Sequence, residues 1–347
     1  MSKEKGAAAA HKSKIGGQAL IEGVMMRGFG KEAVAVRQKD GGVYLEVNPV
    51  PVNKWYQKAL FIRGVFNFIL QMKNGYKYMM KSMEVSGMLD DDEPADGEPV
   101  PSDGEPASSD GEPKKSKDGA ASAASTAIVG AVGLIGGVVL AVFLFMYLPT
   151  QCFTWIFNER AKQFQPLFEG LIRIALFVGY MWVISLMKEI RVTYEYHGAE
   201  HKTIAAYEAG AELVYENVKK YTRFHPRCGT SFIFLVLAIS IIFYSVLQFF
   251  LPVSSKDVAQ WLGVSAVIAN VIRTGIKLLF LPVLVGMTYE VIKLAGRYDR
   301  NIFMRIISAP GLGLQRLTTR EPTEKQVEIA IAALLPVIPE DKEQDRW

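Results

Sequence analysis

The sequence predicts an α-helical polytopic membrane protein of about four transmembrane helices, with a small α+β cytoplasmic portion that includes an N-terminal β-hairpin. Three observations carry that expectation. Residues 127–148, AIVGAVGLIGGVVLAVFLFMYL, and residues 230–252, TSFIFLVLAISIIFYSVLQFFLP, contain no charged residue. A bilayer core is crossed by about 20 apolar residues in a helix, so each window is long enough. Two further windows, 170–187 and 272–292, carry charges towards their ends: Arg173 in the former, Lys277 and Glu290 in the latter. Charged side chains near helix ends can snorkel to the interface, which keeps both windows as spans. Finally, EAVAVRQ and VYLEVN flank KDGG, which reads as two strands joined by a glycine-containing turn.

Composition bounds the function classes. The chain has 347 residues, is 50% hydrophobic and 21% charged, and has a net charge of +4. That balance is too weak to imply specific nucleic-acid binding. The two cysteines, Cys152 and Cys228, are far apart, which argues against a disulfide framework. The N-terminus MSKEKGAAAAHKSK has no apolar core of a signal peptide. Basic residues gather in three places: before the first span (Lys114, Lys115, Lys117), in the loop 188–229 (Lys188, Arg191, Lys202, Lys219, Lys220, Arg223, Arg227), and after the fourth span (Lys293, Arg297, Arg300, Arg305). The positive-inside rule then places both termini and the 188–229 loop in the cytoplasm.

Outside the spans the chain divides by composition. Residues 1–53 form an N-terminal β unit, in which IGGQALIEGVMMRGFG reads as one strand broken by a tight backbone excursion. Residues 54–88 mix apolar and basic residues at helical spacing, as an amphipathic helix on the membrane surface does; the competing reading buries that helix against the cytoplasmic domain. Residues 89–118 are a disordered acidic linker, with DGEP recurring at Asp96, Asp103 and Asp110, too poor in apolar residues to build a core. The tail 293–347 contains one clear helix, opened by a capping box of Thr323 and Gln326, while GLGLQRLTTREP before it reads as loop.

The chemistry concentrates in the 188–229 loop. YEYHGAEHKTIAAYE places His197 and His201 four residues apart on one helix face, with Glu200 beside them. H-x-x-E-H is the order of the inverted zincins, in which two histidines hold zinc and the acid serves as base. Glu208, two turns further on, is a possible carboxylate ligand. HPRC, just before the third span, adds His225 and Cys228. Imidazole and thiolate suit a divalent transition metal, zinc above all, with iron or nickel also compatible. Three readings stand side by side: exposed histidines without a metal, a closed structural zinc site with four ligands, and an open catalytic site with three. For the last, Glu200 is the expected general base, Glu22 a second candidate, and Arg27 or Arg320 a possible anchor for an anionic substrate group. A transporter calls for ionisable residues deep in the spans, and the first and third spans have none.

GGQALIEGVMMRG, AVAVR, EYHGAEHK, HPRCGTSF and LQRLTTREP, in this order, resemble the YqhQ-like family of bacterial membrane proteins. That family is uncharacterised and is described as a set of candidate metal-dependent enzymes. The resemblance covers most of the chain outside the linker and the extreme ends. It implies a multi-pass protein of the bacterial inner membrane and points to Glu22, His197, Glu200, His201, His225 and Cys228. The leading expectation is metal-assisted hydrolysis at the cytoplasmic membrane surface; the rival is a scaffold, assembly or insertion factor stiffened by zinc. The expected partners are the lipid bilayer and cytoplasmic or membrane proteins.

Overall fold

Four antiparallel strands run in sequence order: β1 (Gly16–Leu20), β2 (Gly23–Arg27), β3 (Lys31–Arg37) and β4 (Val43–Pro49). The computed structural model describes residues 12–52, 54–88, 132–133, 135–157, 162–247, 250, 255–298, 301–341 and 343–346. The 89–118 linker lies outside these residues, apart from any bearing on the rest.

The stretch read as one broken strand is a hairpin. Leu20 pairs with Gly23, so Ile21 and Glu22 form a two-residue turn. Glu22 adopts φ 50°, a left-handed conformation that side chains other than glycine rarely take. Its carbonyl accepts the Arg37 N–H at 2.8 Å, which holds the turn against the end of β3. The β3–β4 hairpin turns at KDGG as the sequence indicates, with Gly41 at φ 86°.

β2 and β3 are buried on both faces, which explains their near-continuous apolar sequence. Leu20, Met25, Val34 and Val36 pack with Tyr78 of α1 (Ile62–Val85). Val24, Met26, Ala33 and Ala35 face the other way, into a larger core with Tyr196, Ala199 and Ile204 of α4 (Lys188–Glu208) and Val327, Ala330 and Leu334 of α10 (Glu324–Leu334). The Thr323–Gln326 box opens α10 as expected, Gln326 accepting the Thr323 N–H at 2.8 Å.

Among the described residues, four helical segments are long and apolar enough to cross a membrane: α2 (Ile135–Phe157), α3 (Gln165–Ile184), α5 (Gly229–Leu247) and a fourth segment, Val267–Arg297. The first runs further along the chain than the 127–148 window, because Pro149 and Thr150 continue the helix. Within it, Phe143–Tyr147 form a π-helical turn. The fourth segment is two helices, α7 (Ala266–Leu279) and α8 (Leu281–Arg297), parted at Phe280 with Pro282 in the first turn of the second. A short helix α6 (Ser255–Leu262) precedes them.

α1 packs against the sheet, as one of the two readings of the sequence has it, and also against the helical bundle. Its C-terminal half packs on the sheet, where Tyr78 donates its hydroxyl to buried Glu32. Its N-terminal half docks on α8: Gly64 meets Tyr289, Arg63 pairs with Glu290, and Asn67 donates to the Tyr289 hydroxyl at 3.0 Å. Ile62, Phe66, Ile69, Tyr76 and Met80 stay exposed at helical spacing, an apolar stripe suited to a membrane surface.

The segment GLGLQRLT is helix, not loop: it completes α9 (Ile302–Thr318), which carries Pro310 within it. Gly311 lets α9 lie close on Ser231 of α5, and this contact outweighs the poor helix propensity of SAPGLG.

Candidate metal centre

Helix α4 leads from the end of α3 into the sheet-bearing part of the protein and carries His197, Glu200 and His201. α5 begins one residue after Cys228, so the HPRC turn sits where the chain re-enters the bundle. The structure brings His197, His201 and Cys228 together, each offering one ligand atom within 4.8 Å of the others. The two imidazole centroids are 4.4 Å apart, and His197 Nε2 is 3.2 Å from Cys228 Sγ. Bond lengths of about 2.0–2.3 Å set neighbouring ligand atoms of a tetrahedral site roughly 3.3–3.8 Å apart. The His197–Cys228 pair is close to that spacing, and the 4.8 Å limit on the whole group is somewhat wider than it.

Each histidine is oriented from behind. His197 Nδ1 lies 2.7 Å from the Thr318 carbonyl, and His201 Nδ1 lies 2.6 Å from the Arg223 carbonyl. A carbonyl only accepts, so each Nδ1 carries a proton and Nε2 is the nitrogen left to act as a ligand, in His197 once the proton it shares with Cys228 is released. That arrangement fixes the tautomer and ring plane of a metal-ligating histidine.

The Thr318 carbonyl reaches His197 because Thr319–Glu321 cross over α4. Arg320 donates its N–H to Tyr194 O at 2.8 Å, and its carbonyl lies where a side chain on Gly198 would stand. Glycine is required there by close approach. Gln315 holds the other half of the site: it accepts the His225 N–H at 2.8 Å and donates to the His225 carbonyl at 2.7 Å and to Ser231 Oγ at 3.1 Å. Thr318, Gln315 and Arg223 escaped sequence reasoning, because two act through carbonyls and the third lies in a helix read as loop.

Glu200 is buried beneath β1. One carboxylate oxygen receives the Gly17 N–H, and Oε2 has no partner among the described residues. Gly17 makes room for it: a Cβ there would lie 2.9 Å from the Glu200 carboxyl carbon. Burial raises the Glu200 carboxyl above its usual range, against the pull of His201 and His197. Burial also opposes charge on Cys228 and His197, but the two offset it for each other. The thiol falls well below its ordinary value, and the imidazole is raised to about 9.

The remaining candidates stand outside this three-residue group. His225 is 5.5 Å from His201 between ring centroids, outside the three-ligand group, and its Nε2 faces the Arg227 guanidinium at 3.1 Å. Burial, then the Arg227 charge, push its pKa well down, so the ring is neutral. Glu22 is engaged by the Tyr196 hydroxyl at 3.0 Å and by Arg37 at 3.3 Å. Glu208 is not part of the cluster: it accepts from Ser13 N at 2.7 Å and pairs with Arg227. The Arg320 Nε is buried without a partner among the described residues, while Arg27 ends β2 opposite Glu32.

A family model described as "Protein of unknown function (DUF1385)" matches residues 60–340. The "Uncharacterized protein YqhQ" of Bacillus subtilis (strain 168) is 30% identical over 322 residues, which is 91% of this chain and 89% of that protein. No solved structure matches. Four candidate spans, a buried His–His–Cys cluster able to hold a metal ion, and similarity along nearly the whole chain lead to one conclusion: this protein belongs to the YqhQ/DUF1385 family of bacterial multi-pass membrane proteins.

Proposed function

We propose that the protein is a metal-dependent hydrolase acting at the cytoplasmic surface of the bacterial inner membrane. His197 Nε2, His201 Nε2 and Cys228 Sγ hold a divalent transition metal, with zinc the best fit to this mixed donor set. The observation that carries the reading is the pair of Nδ1 contacts to backbone carbonyls, at 2.7 and 2.6 Å, which make Nε2 the ligand atom of each ring. A metal in this position supplies Lewis-acid polarisation of a substrate oxygen.

The chain's own residues do the rest. Glu200 takes up the proton of the attacking water and returns it, since one carboxylate oxygen has no partner among the described residues and burial raises its affinity for a proton. β1 packs closely over it at Gly17, which leaves no room for a side chain there. Glu22 stands one step back: through Tyr196 it is tied to the helix that bears the ligands. The cytoplasmic placement of the site and of both termini rests on the basic residues of the 188–229 loop and the tail.

Elemental analysis of purified protein tests the reading, with His197→Ala and Cys228→Ala as controls. About one transition metal per chain in the wild type, lost in both variants, is the expected result. Wild-type protein free of transition metal under non-chelating conditions would sink it. A second reading, a structural zinc site in a scaffold or assembly factor, is favoured by the closeness of His225 to His201. Cobalt substitution separates the two: His225→Ala alters the visible spectrum only if His225 is a ligand.

A further inference from the structure

Arg173 and Lys277, which look like interface-seeking charges in the sequence, are buried inside the protein. They converge with Arg273 on Glu169 at the end of the helical bundle opposite the His–His–Cys cluster. Relative exposures are 1% for Glu169, 7% for Arg173, and 3% for both Arg273 and Lys277. Glu169 accepts from Arg173 at 2.9 Å, from Arg273 at 2.6 Å and from Lys277 at 2.5 Å, and also from Gln165 at 2.8 Å and Thr150 at 3.0 Å. The helix rise puts Arg173 about 12 Å beyond the start of α3.

Among the described residues, three basic side chains meet one carboxylate here, a formal excess of two positive charges. An ion-pair network serving packing alone would balance, because each uncompensated buried charge costs several kcal/mol. The donors are not exhausted either: Arg273 Nε is buried with no partner among the described residues. The backbone around the cluster is irregular on two sides. The π-helical turn Phe143–Tyr147 of α2 leaves the Phe145 carbonyl free to accept from Arg173 at 2.7 Å. The fourth span breaks at Phe280, three residues after Lys277. Irregular backbone in membrane helices is tolerated where it is buried in protein or lines a cavity, and π-helical turns are frequent at functional sites.

We propose that this cluster binds a phosphate-type oxyanion, with Glu169 as the internal carboxylate that holds the three cations in its absence. Two guanidinium groups and an ammonium suit a multidentate oxyanion, and the excess of two positive charges matches a dianion. Inorganic phosphate and the phosphomonoester headgroup of phosphatidate share that chemistry. The site is independent of the metal centre, so neither proposal stands on the other.

Delipidated full-length protein in a zwitterionic detergent is titrated with inorganic phosphate by calorimetry. In parallel it is reconstituted into phosphatidylcholine nanodiscs with and without phosphatidate, and retained lipid is counted by native mass spectrometry. Saturable binding in the first arm identifies a free anion; one tightly retained phosphatidate per chain in the second identifies a lipid. In either case Lys277→Gln and Arg273→Gln weaken binding by about tenfold or more, the loss of one charge-assisted hydrogen bond. Wild-type protein that binds neither ligand in preference to chloride or phosphatidylcholine overturns the proposal, whatever the variants do. So does unchanged affinity in a Lys277→Gln protein whose helical content and thermal unfolding match the wild type.

Discussion

Gly198→Ala tests the construction of the metal centre without touching a ligand. The added methyl lands on the Arg320 carbonyl, a backbone atom that cannot swing aside. Overpacking of this kind costs about 1–3 kcal/mol. Relief requires the Thr319–Glu321 segment to lift, which loosens the Arg320 N–H bond to Tyr194 O at 2.8 Å and adds roughly 1 kcal/mol. The same movement withdraws the Thr318 carbonyl from His197 Nδ1. Loss of such a supporting contact weakens metal binding by about 10–100-fold. Thermal unfolding in detergent reads the first effect, and competition against a chromophoric chelator reads the second. Gly313→Ala is the control, because nothing stands within 4 Å of its Cβ, and an exposed helical glycine gains up to about 1 kcal/mol on becoming alanine. A Gly198→Ala protein with wild-type melting and wild-type metal affinity would refute the idea that this crossing orients His197.

Zinc loading near pH 7 should release about one proton per site, seen by calorimetry in buffers of different ionisation enthalpy. That proton comes from His197, so the count should fall as pH rises through about 9; a count unchanged beyond that value contradicts the thiolate–imidazolium pair. Cys228→Ala should abolish tight zinc binding while His225→Ala keeps most of it, and equal loss in an equilibrium titration would make His225 a fourth ligand. Glu200→Gln should retain metal yet lower turnover by about 10²–10⁴-fold on any hydrolysed substrate found by panel screening; full activity excludes Glu200 as the base. Tyr78→Phe should destabilise the protein by about 1–3 kcal/mol in a thermal or denaturant melt, because it strips the hydroxyl from a buried Glu32 whose other oxygen is already unpartnered.

The candidate membrane helices and the residues of the His–His–Cys cluster were legible because each is written locally. An uncharged run of about 20 residues has few other meanings, and His197, His201 and Cys228 announce themselves by residue type. What escaped depends on convergence. Arg173 and Lys277 look alike as helix-end charges until Arg273 and Glu169 are seen beside them. Glu208 shares a helix face with His201, but seven residues of helix carry it roughly 10 Å along the axis, beyond reach of the same ion. α9 hid behind Pro310, Gly311 and Gly313, since its stability comes from packing on α5 rather than from propensity. Glu22 stood out for its neighbour Gly23, yet the unusual backbone lies at Glu22 itself.

The two-sided burial of the sheet also constrains how the chain threads the bilayer. Val24, Met26, Ala33 and Ala35 pack against Ala199 and Ile204 after the second candidate span, and against Val327 and Leu334 after the fourth. Segments that share one core must emerge on the same side of the membrane. An even number of crossings therefore separates the sheet from α4, and again α4 from α10. Two and two satisfies this; dropping or adding a single crossing would strand one wall of the core across the lipid. The parity of the topology is thus written in the packing of small side chains, independently of where the lysines and arginines fall.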